Sequence, residues 1–176
     1  MIAEKFDKST GVAIGDTVVY AAHGIGRVVA RGQQRIGGAE RVCVILDLAA
    51  GLRVTLPLAG GAERLRPVVG KRELEAVRTT LASTSSARDG AWTRRVEKMK
   101  AKLAGGRASD LAEIVRDGRS FKRSGVGKRL SAAESQIYRR ARSLLIEEVS
   151  SAQGVCEDEA EAWIDEQIAL PDRSEA

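Results

Sequence analysis

Thr17-Val18-Val19-Tyr20-Ala21-Ala22-His23-Gly24-Ile25-Gly26-Arg27-Val28-Val29-Ala30-Arg31 decides the fold of the first part of the chain. Its apolar residues are β-branched and come in short runs broken by glycine, which predicts strands over Thr17–Ala22 and Ile25–Arg31. Gly24 and Gly26 bracket Ile25, so a strand must bend sharply there or two backbones must approach closely. The same signature continues in Arg41–Leu48 and Leu52–Leu56, with Gly37-Gly38 as a hairpin turn and Gly51 as another. Pro57 ends the fourth strand or starts an edge, and Arg64–Val68 can supply a short fifth strand. Several short strands with no helix between them predict a small antiparallel barrel.

Near residue 70 the period changes from two to about 3.6. Leu74, Val77 and Leu81 keep helical spacing, and so do Trp92, Val96, Met99 and Leu103, which end at Gly105-Gly106. Asp110 with Glu113 is a candidate cap for a third helix carrying Leu111, Ile114 and Val115. Ser131 with Glu134 forms a capping box that opens a long fourth helix, stopped by Gly154. Glu157 to Glu159 start a fifth, with Trp163, Ile164 and Ile168 as its buried stripe. Ser83–Gly90 is a polar linker, and Gly118–Lys128 reads as a basic loop. The expected fold class is therefore α+β: a β-barrel over residues 1–69, then an all-α domain of about five helices over 70–176.

Charge is unevenly spread. Residues 1–69 carry a net +3, residues 70–104 a net +5, residues 105–150 a net +4 and residues 151–176 a net −7. The middle of the chain is a basic block with an acidic end. That asymmetry favours a polyanionic partner, although a solvated helical surface also carries many charges.

The residues argue against catalysis. The sole histidine, His23, falls between two predicted strands, and Asp16 and Thr17 do not complete a triad with it. No Cys/His set has metal-ligand spacing. Gly24-Ile25-Gly26 is not followed by a helix, and Gly125-Val126-Gly127-Lys128 lacks the strand and spaced first glycine of a phosphate loop. No cofactor or metal is expected. Cys43 reads as a small core residue, and Cys156 is too distant to suggest a disulfide framework. No apolar run approaches the ~20 residues that span a bilayer, and Met1–Ser9 lacks a signal peptide's apolar stretch. A soluble cytoplasmic protein is expected.

The most informative functional feature is Trp92-Thr93-Arg94-Arg95 at the head of a basic helix. A large flat ring flanked by guanidinium groups suits a duplex whose phosphates are gripped while a base step is wedged. Arg94, Arg95, Lys98 and Lys102 lie on or beside the faces that the apolar stripe leaves open. Trp92 is also in register with Val96, Met99 and Leu103, so the pattern equally allows a buried ring. Trp163, among acidic neighbours and Ile164, reads as core.

Gly15-Asp16-Thr17-Val18-Val19-Tyr20 followed by His23-Gly24-Ile25-Gly26-Arg27-Val28 resembles the opening of the CarD/CdnL family of bacterial transcription regulators. The likeness continues through Leu52-Arg53-Val54-Thr55-Leu56-Pro57, Ala91-Trp92-Thr93-Arg94-Arg95, Ile114-Val115-Arg116-Asp117, Leu130-Ser131-Ala132-Ala133-Glu134 and Ala141-Arg142-Ser143-Leu144-Leu145-Ile146-Glu147-Glu148. It is collinear from about residue 12 to residue 170. The resemblance implies a Tudor-like (SH3-like) barrel that binds the RNA polymerase β subunit. It implies a helical domain that contacts upstream promoter DNA with low sequence specificity, where a tryptophan matching Trp92 wedges into the minor groove and stabilises the open complex. Family arginines facing the polymerase match Gln34 and Thr55, with Arg35 and Arg53 one step away, so these four are the candidate polymerase contacts. Arg119, Lys122, Arg123, Lys128 and Arg129 extend the candidate DNA surface. The protein is expected to act as a monomer, associated with the nucleoid through polymerase.

Overall fold

The computed structural model describes residues 12–49, 51–84, 92–123 and 130–169. Two compact units divide between Val68 and Val69. The first is one antiparallel sheet of β1 (Thr17–Tyr20), β2 (Gly24–Ile36), β3 (Ala39–Leu48), β4 (Arg53–Pro57) and β5 (Leu65–Pro67), in the order β4-β3-β2-β1-β5. Leu56 from one edge strand and Leu65 from the other share a core with Val18, Tyr20, Val28, Val44, Leu46 and Leu48. That shared core gives the small Tudor-like arrangement. Each fully buried aliphatic side chain contributes on the order of 1.5–3 kcal/mol.

Several strand bounds differ from expectation, two of them for reasons visible in the structure. The first strand stops at Tyr20, because Ala21 takes a left-handed φ of 32° and opens a short 3-10 turn through His23. His23 stacks on Tyr20 with ring centroids 4.6 Å apart, so the sole histidine belongs to this turn and is exposed there. The second strand runs on to Ile36 and pairs with β3 down to Ile36–Ala39 around Gly37-Gly38. Gly32 and the exposed Gln33, Gln34 and Arg35 hide that extension from an apolar pattern. At Gly26 the strands do approach closely: a Cβ there would lie 2.7 Å from Leu48 Cδ2.

The second unit contains α1 (Lys71–Ala82), α2 (Trp92–Gly105), α3 (Ala108–Arg123), α4 (Ala132–Gln153) and α5 (Glu157–Ala169). All five contribute to one core, with Val77, Leu81, Val96, Leu111, Val115, Ala141, Leu145 and Ile164 buried in it. Glu148 is buried in α4, where its Oε1 accepts the backbone N–H of Val69 at 3.2 Å. Trp163 is half-buried and packs against this core beside the fully buried Ile164. Among the described residues no helix is long and apolar enough to cross a membrane.

α3 corrects two expectations. Its first carbonyl acceptor is Arg107, bonded by the Leu111 N–H at 2.9 Å. Asp110 therefore sits within the first turn, where an acid suits the positive helix end, and does not cap it. The helix also continues through Gly118 to Arg123, so the basic segment is helical in its first half. A helix tolerates Gly118 here because Tyr138 of α4 takes the space of a side chain. An added Cβ would lie 2.2 Å from Tyr138 Cδ2, and Tyr138 is itself buried.

The capping box of α4 forms as its sequence requires. Ser131 Oγ accepts the Glu134 N–H at 3.2 Å, and Glu134 Oε2 accepts the Ser131 N–H at 2.9 Å. At the other end Gly154 adopts the left-handed conformation, φ 69° and ψ 33°. Burial pushes the Glu134 carboxyl pKa up. The Ser131 backbone N–H and side chain, together with the Arg95 guanidinium, outweigh burial and hold it below the usual glutamate range.

Two outcomes follow from these contacts. Gly118→Ala forces a methyl group into the Tyr138 ring and should lower the unfolding free energy by roughly 1–3 kcal/mol, read from urea denaturation; an unchanged midpoint would refute the close packing. Because the folded-state pKa of Glu134 is lowered, its contribution is complete above the unfolded value of about 4.3 and is lost as pH falls through the folded value. Glu134→Gln should remove that acid-side slope from stability measured between pH 6 and pH 3.

Candidate nucleic-acid interface

Helical spacing puts Trp92, Val96, Met99 and Leu103 on one stripe, yet the structure treats them differently. Val96 is buried and Met99 and Leu103 pack partly against the core, while Trp92 at the first position of α2 remains 49% exposed. The ring lies beyond the end of the packed stripe. It is not loose. Its Nε1–H donates to Ser131 Oγ at 3.1 Å, across 39 residues of sequence. The indole is thus bonded to the N-cap of α4.

At about 100° per residue, Arg95 and Lys102 border the buried stripe, whereas Lys98 and Arg94 fall further round toward solvent. Arg95 Nη2 lies 3.3 Å from Glu134 Oε1 and is partly buried, and Glu134 is almost wholly so. Lys102 pairs with Glu113 of α3 and is largely covered. These two cations therefore tie α2 to its neighbours. Arg94 and Lys98 are exposed, and among the described residues neither has an ion-pair partner.

The other basic candidates are scattered in role. Arg119 on α3 approaches Asp165 Oδ1 of α5 at 3.6 Å. Lys122 and Arg123 lie in the last turn of α3. Lys128 and Arg129 lie outside the described residues. The acidic last helix has internal partners: Arg142 Nη2 contacts both Glu161 Oε1 and Asp165 Oδ2 at 2.9 Å. No cluster of three or more potential metal ligands occurs among the described residues.

In the first unit, pairing register sorts the four candidate polymerase contacts. Gln34 opposes Arg41, and Thr55 opposes Ile45 while Arg53 opposes Asp47. Because paired residues share a face and alternate residues repeat it, Gln34, Arg53 and Thr55 lie on one side of the sheet. Arg35 opposes Glu40 and lies on the other. Arg53 is held by Asp47 in a two-pronged pair, Nε to Oδ1 at 2.6 Å and Nη2 to Oδ2 at 2.9 Å. Both groups are exposed, so this bridge fixes the guanidinium's orientation more than it adds stability. The bond raises the Arg53 pKa and lowers that of Asp47.

Sequence pattern missed the part that Ser131 and Glu134 play at this site. Both were legible as a helix cap, but no spacing rule links Ser131 to a ring 39 residues away.

The family comparison agrees with this two-part architecture. Residues 12–69 match the family model of the CarD-like/TRCF RID domain. Residues 76–165 match that of the CarD C-terminal domain. With both matches collinear and the second spanning half of the chain, the protein belongs to the CarD family of RNA polymerase-interacting transcription factors.

Proposed function

We propose that the protein binds the RNA polymerase β subunit through its sheet and upstream promoter DNA through its helices, and that it stabilises the open complex with Trp92 as a minor-groove wedge. The observation that carries this reading is the half-exposed indole at the head of α2, with Arg94 and Lys98 open to solvent on the same helix. Inserting a ring between base steps in intact duplex costs a few kcal/mol of unstacking. At the edge of a transcription bubble that cost is already largely met. The ring then binds melted DNA better than closed duplex, and a ligand shifts an equilibrium only by such a difference in affinity. No catalysis is needed.

Arg94 and Lys98 act as phosphate contacts that give affinity and register without reading sequence. α2 carries no Asn or Gln to read base edges, so specificity comes from the polymerase. Docking through Gln34, Arg53 and Thr55 on one face of the sheet raises the local concentration of a weak DNA-binding unit at every promoter the enzyme occupies. Arg35, on the opposite face, joins only a partner that wraps the hairpin. Arg119, Lys122, Arg123, Lys128 and Arg129 are proposed as outer DNA contacts, with Arg95 and Lys102 acting chiefly through the packing of α2.

Two measurements test the reading. Adding the protein to purified polymerase should lengthen the life of a promoter open complex, and Trp92→Ala should abolish most of that gain; equal lifetimes with and without the protein would sink the proposal. For forked DNA bound by the protein, Arg94→Ala and Lys98→Ala should each make the log–log salt slope shallower by about one unit, while Lys102→Ala should change it less.

A further inference from the structure

Trp92 presents an exposed ring with one polar atom, and that atom is already engaged. The indole Nε1–H points at Ser131 Oγ, 3.1 Å away. The same oxygen accepts the Glu134 backbone N–H at 3.2 Å. A serine hydroxyl has two acceptor lone pairs, so both are in use. Ser131 is in turn held by Glu134, whose Oε2 accepts the Ser131 N–H. Glu134 is 3% exposed, and Arg95, one helical turn beyond Trp92, reaches its other oxygen. Two helices thus close a loop of contacts around the base of the ring: Trp92 to Ser131, Ser131 to Glu134, Glu134 to Arg95, and Arg95 back along α2 to Trp92.

We infer that Ser131 is the positioning residue of the Trp92 wedge, holding the indole at one orientation through its Nε1–H and withholding that N–H from base edges. The inference rests on the wedge reading above and adds how the wedge is aimed. A tryptophan at the first position of a helix has few intrahelical neighbours to fix its rotamer, and half of this ring is in solvent. Ordering such a side chain at the moment of insertion would weaken binding by the rotamer entropy lost. The Ser131 bond meets that loss during folding instead. With its only donor satisfied, the ring offers stacking surface alone, and stacking is tolerant of sequence. Arg95 and Glu134 keep Ser131 in place and do not need to touch DNA.

The test uses the full chain with Trp163→Phe, so that Trp92 is the only indole. Ser131→Ala should increase the fast-motion component of Trp92 fluorescence anisotropy, and Ser131→Thr, which keeps both the acceptor and the cap, should restore it. With polymerase, Ser131→Ala should shorten open-complex lifetime by roughly 2- to 10-fold, the worth of one neutral hydrogen bond. It should have no further effect once Trp92→Phe has removed the indole N–H. Unchanged anisotropy in Ser131→Ala overturns the inference. A loss of lifetime that persists undiminished in the Trp92→Phe chain also overturns it, since that loss would come from the helix cap alone. Wild-type lifetime in Trp92→Ala is a separate result: it refutes the wedge, whatever the anisotropy shows.

Discussion

The capping box at Ser131 and Glu134 is the constraint on which the helical unit's exposed surface depends. A helix N-terminus leaves backbone donors without partners, and α4 answers with a reciprocal pair of bonds between these two residues. Both then acquire a second task. Ser131 Oγ takes the indole N–H of Trp92, and the buried Glu134 takes the Arg95 guanidinium. A local requirement of α4 therefore becomes the anchor of α2. Truncating Glu134 would remove a partner of the partly buried Arg95 as well as opening the cap.

Charge distribution along the chain overstates how much positive charge is open to a partner. Residues 70–150 carry a net +9 by sequence, yet much of it is engaged within the unit. Arg95 and Lys102 hold α2 against α4 and α3, Arg142 binds two acids of α5, and Arg119 approaches one of them. Arg78 is paired with Glu75, and Arg116 with Asp117. Two acids of the last helix, Glu161 and Asp165, are partners for arginines on its neighbours. Among the described residues Arg94, Lys98 and Lys100 remain as the exposed cations of α2.

Most of the fold was legible from residue periodicity. The strand runs, the turns at Gly37-Gly38, the helix stripes and both ends of α4 follow from local chemistry. Failures occurred where a distant residue set the outcome. Gly118 signals a loop to any local rule, because glycine disfavours a helix interior by about 1 kcal/mol relative to alanine; Tyr138, twenty residues later, packs where its side chain would be. The second half of β2 carries no apolar alternation, because its register is fixed by pairing with β3 around the turn. Asp110 suits a cap by type, but the first bond of α3 begins at Arg107. At the site, Trp92 and its cations were visible. Which cations were free was not, since Glu113 and Glu134 lie on other helices.

Trp92 and Trp163 show how helical context divides one residue type between two roles. Trp163 occupies the middle of α5, with the fully buried Ile164 beside it, so its ring leans on the core. Trp92 is the first residue of α2 and remains 49% exposed, while its stripe partners Val96 and Met99 pack against the core. A terminal position of a helix lets a large ring on an apolar stripe project while the rest of the stripe still packs. Exposing an indole there forgoes part of the roughly 1.5–3 kcal/mol that burial would give a large apolar side chain, and the single bond to Ser131 recovers only a fraction of it. A ring that is both exposed and bonded in place is therefore poorly explained by the stability of the isolated unit, and fits the proposed wedge, in which stacked bases would cover its open face.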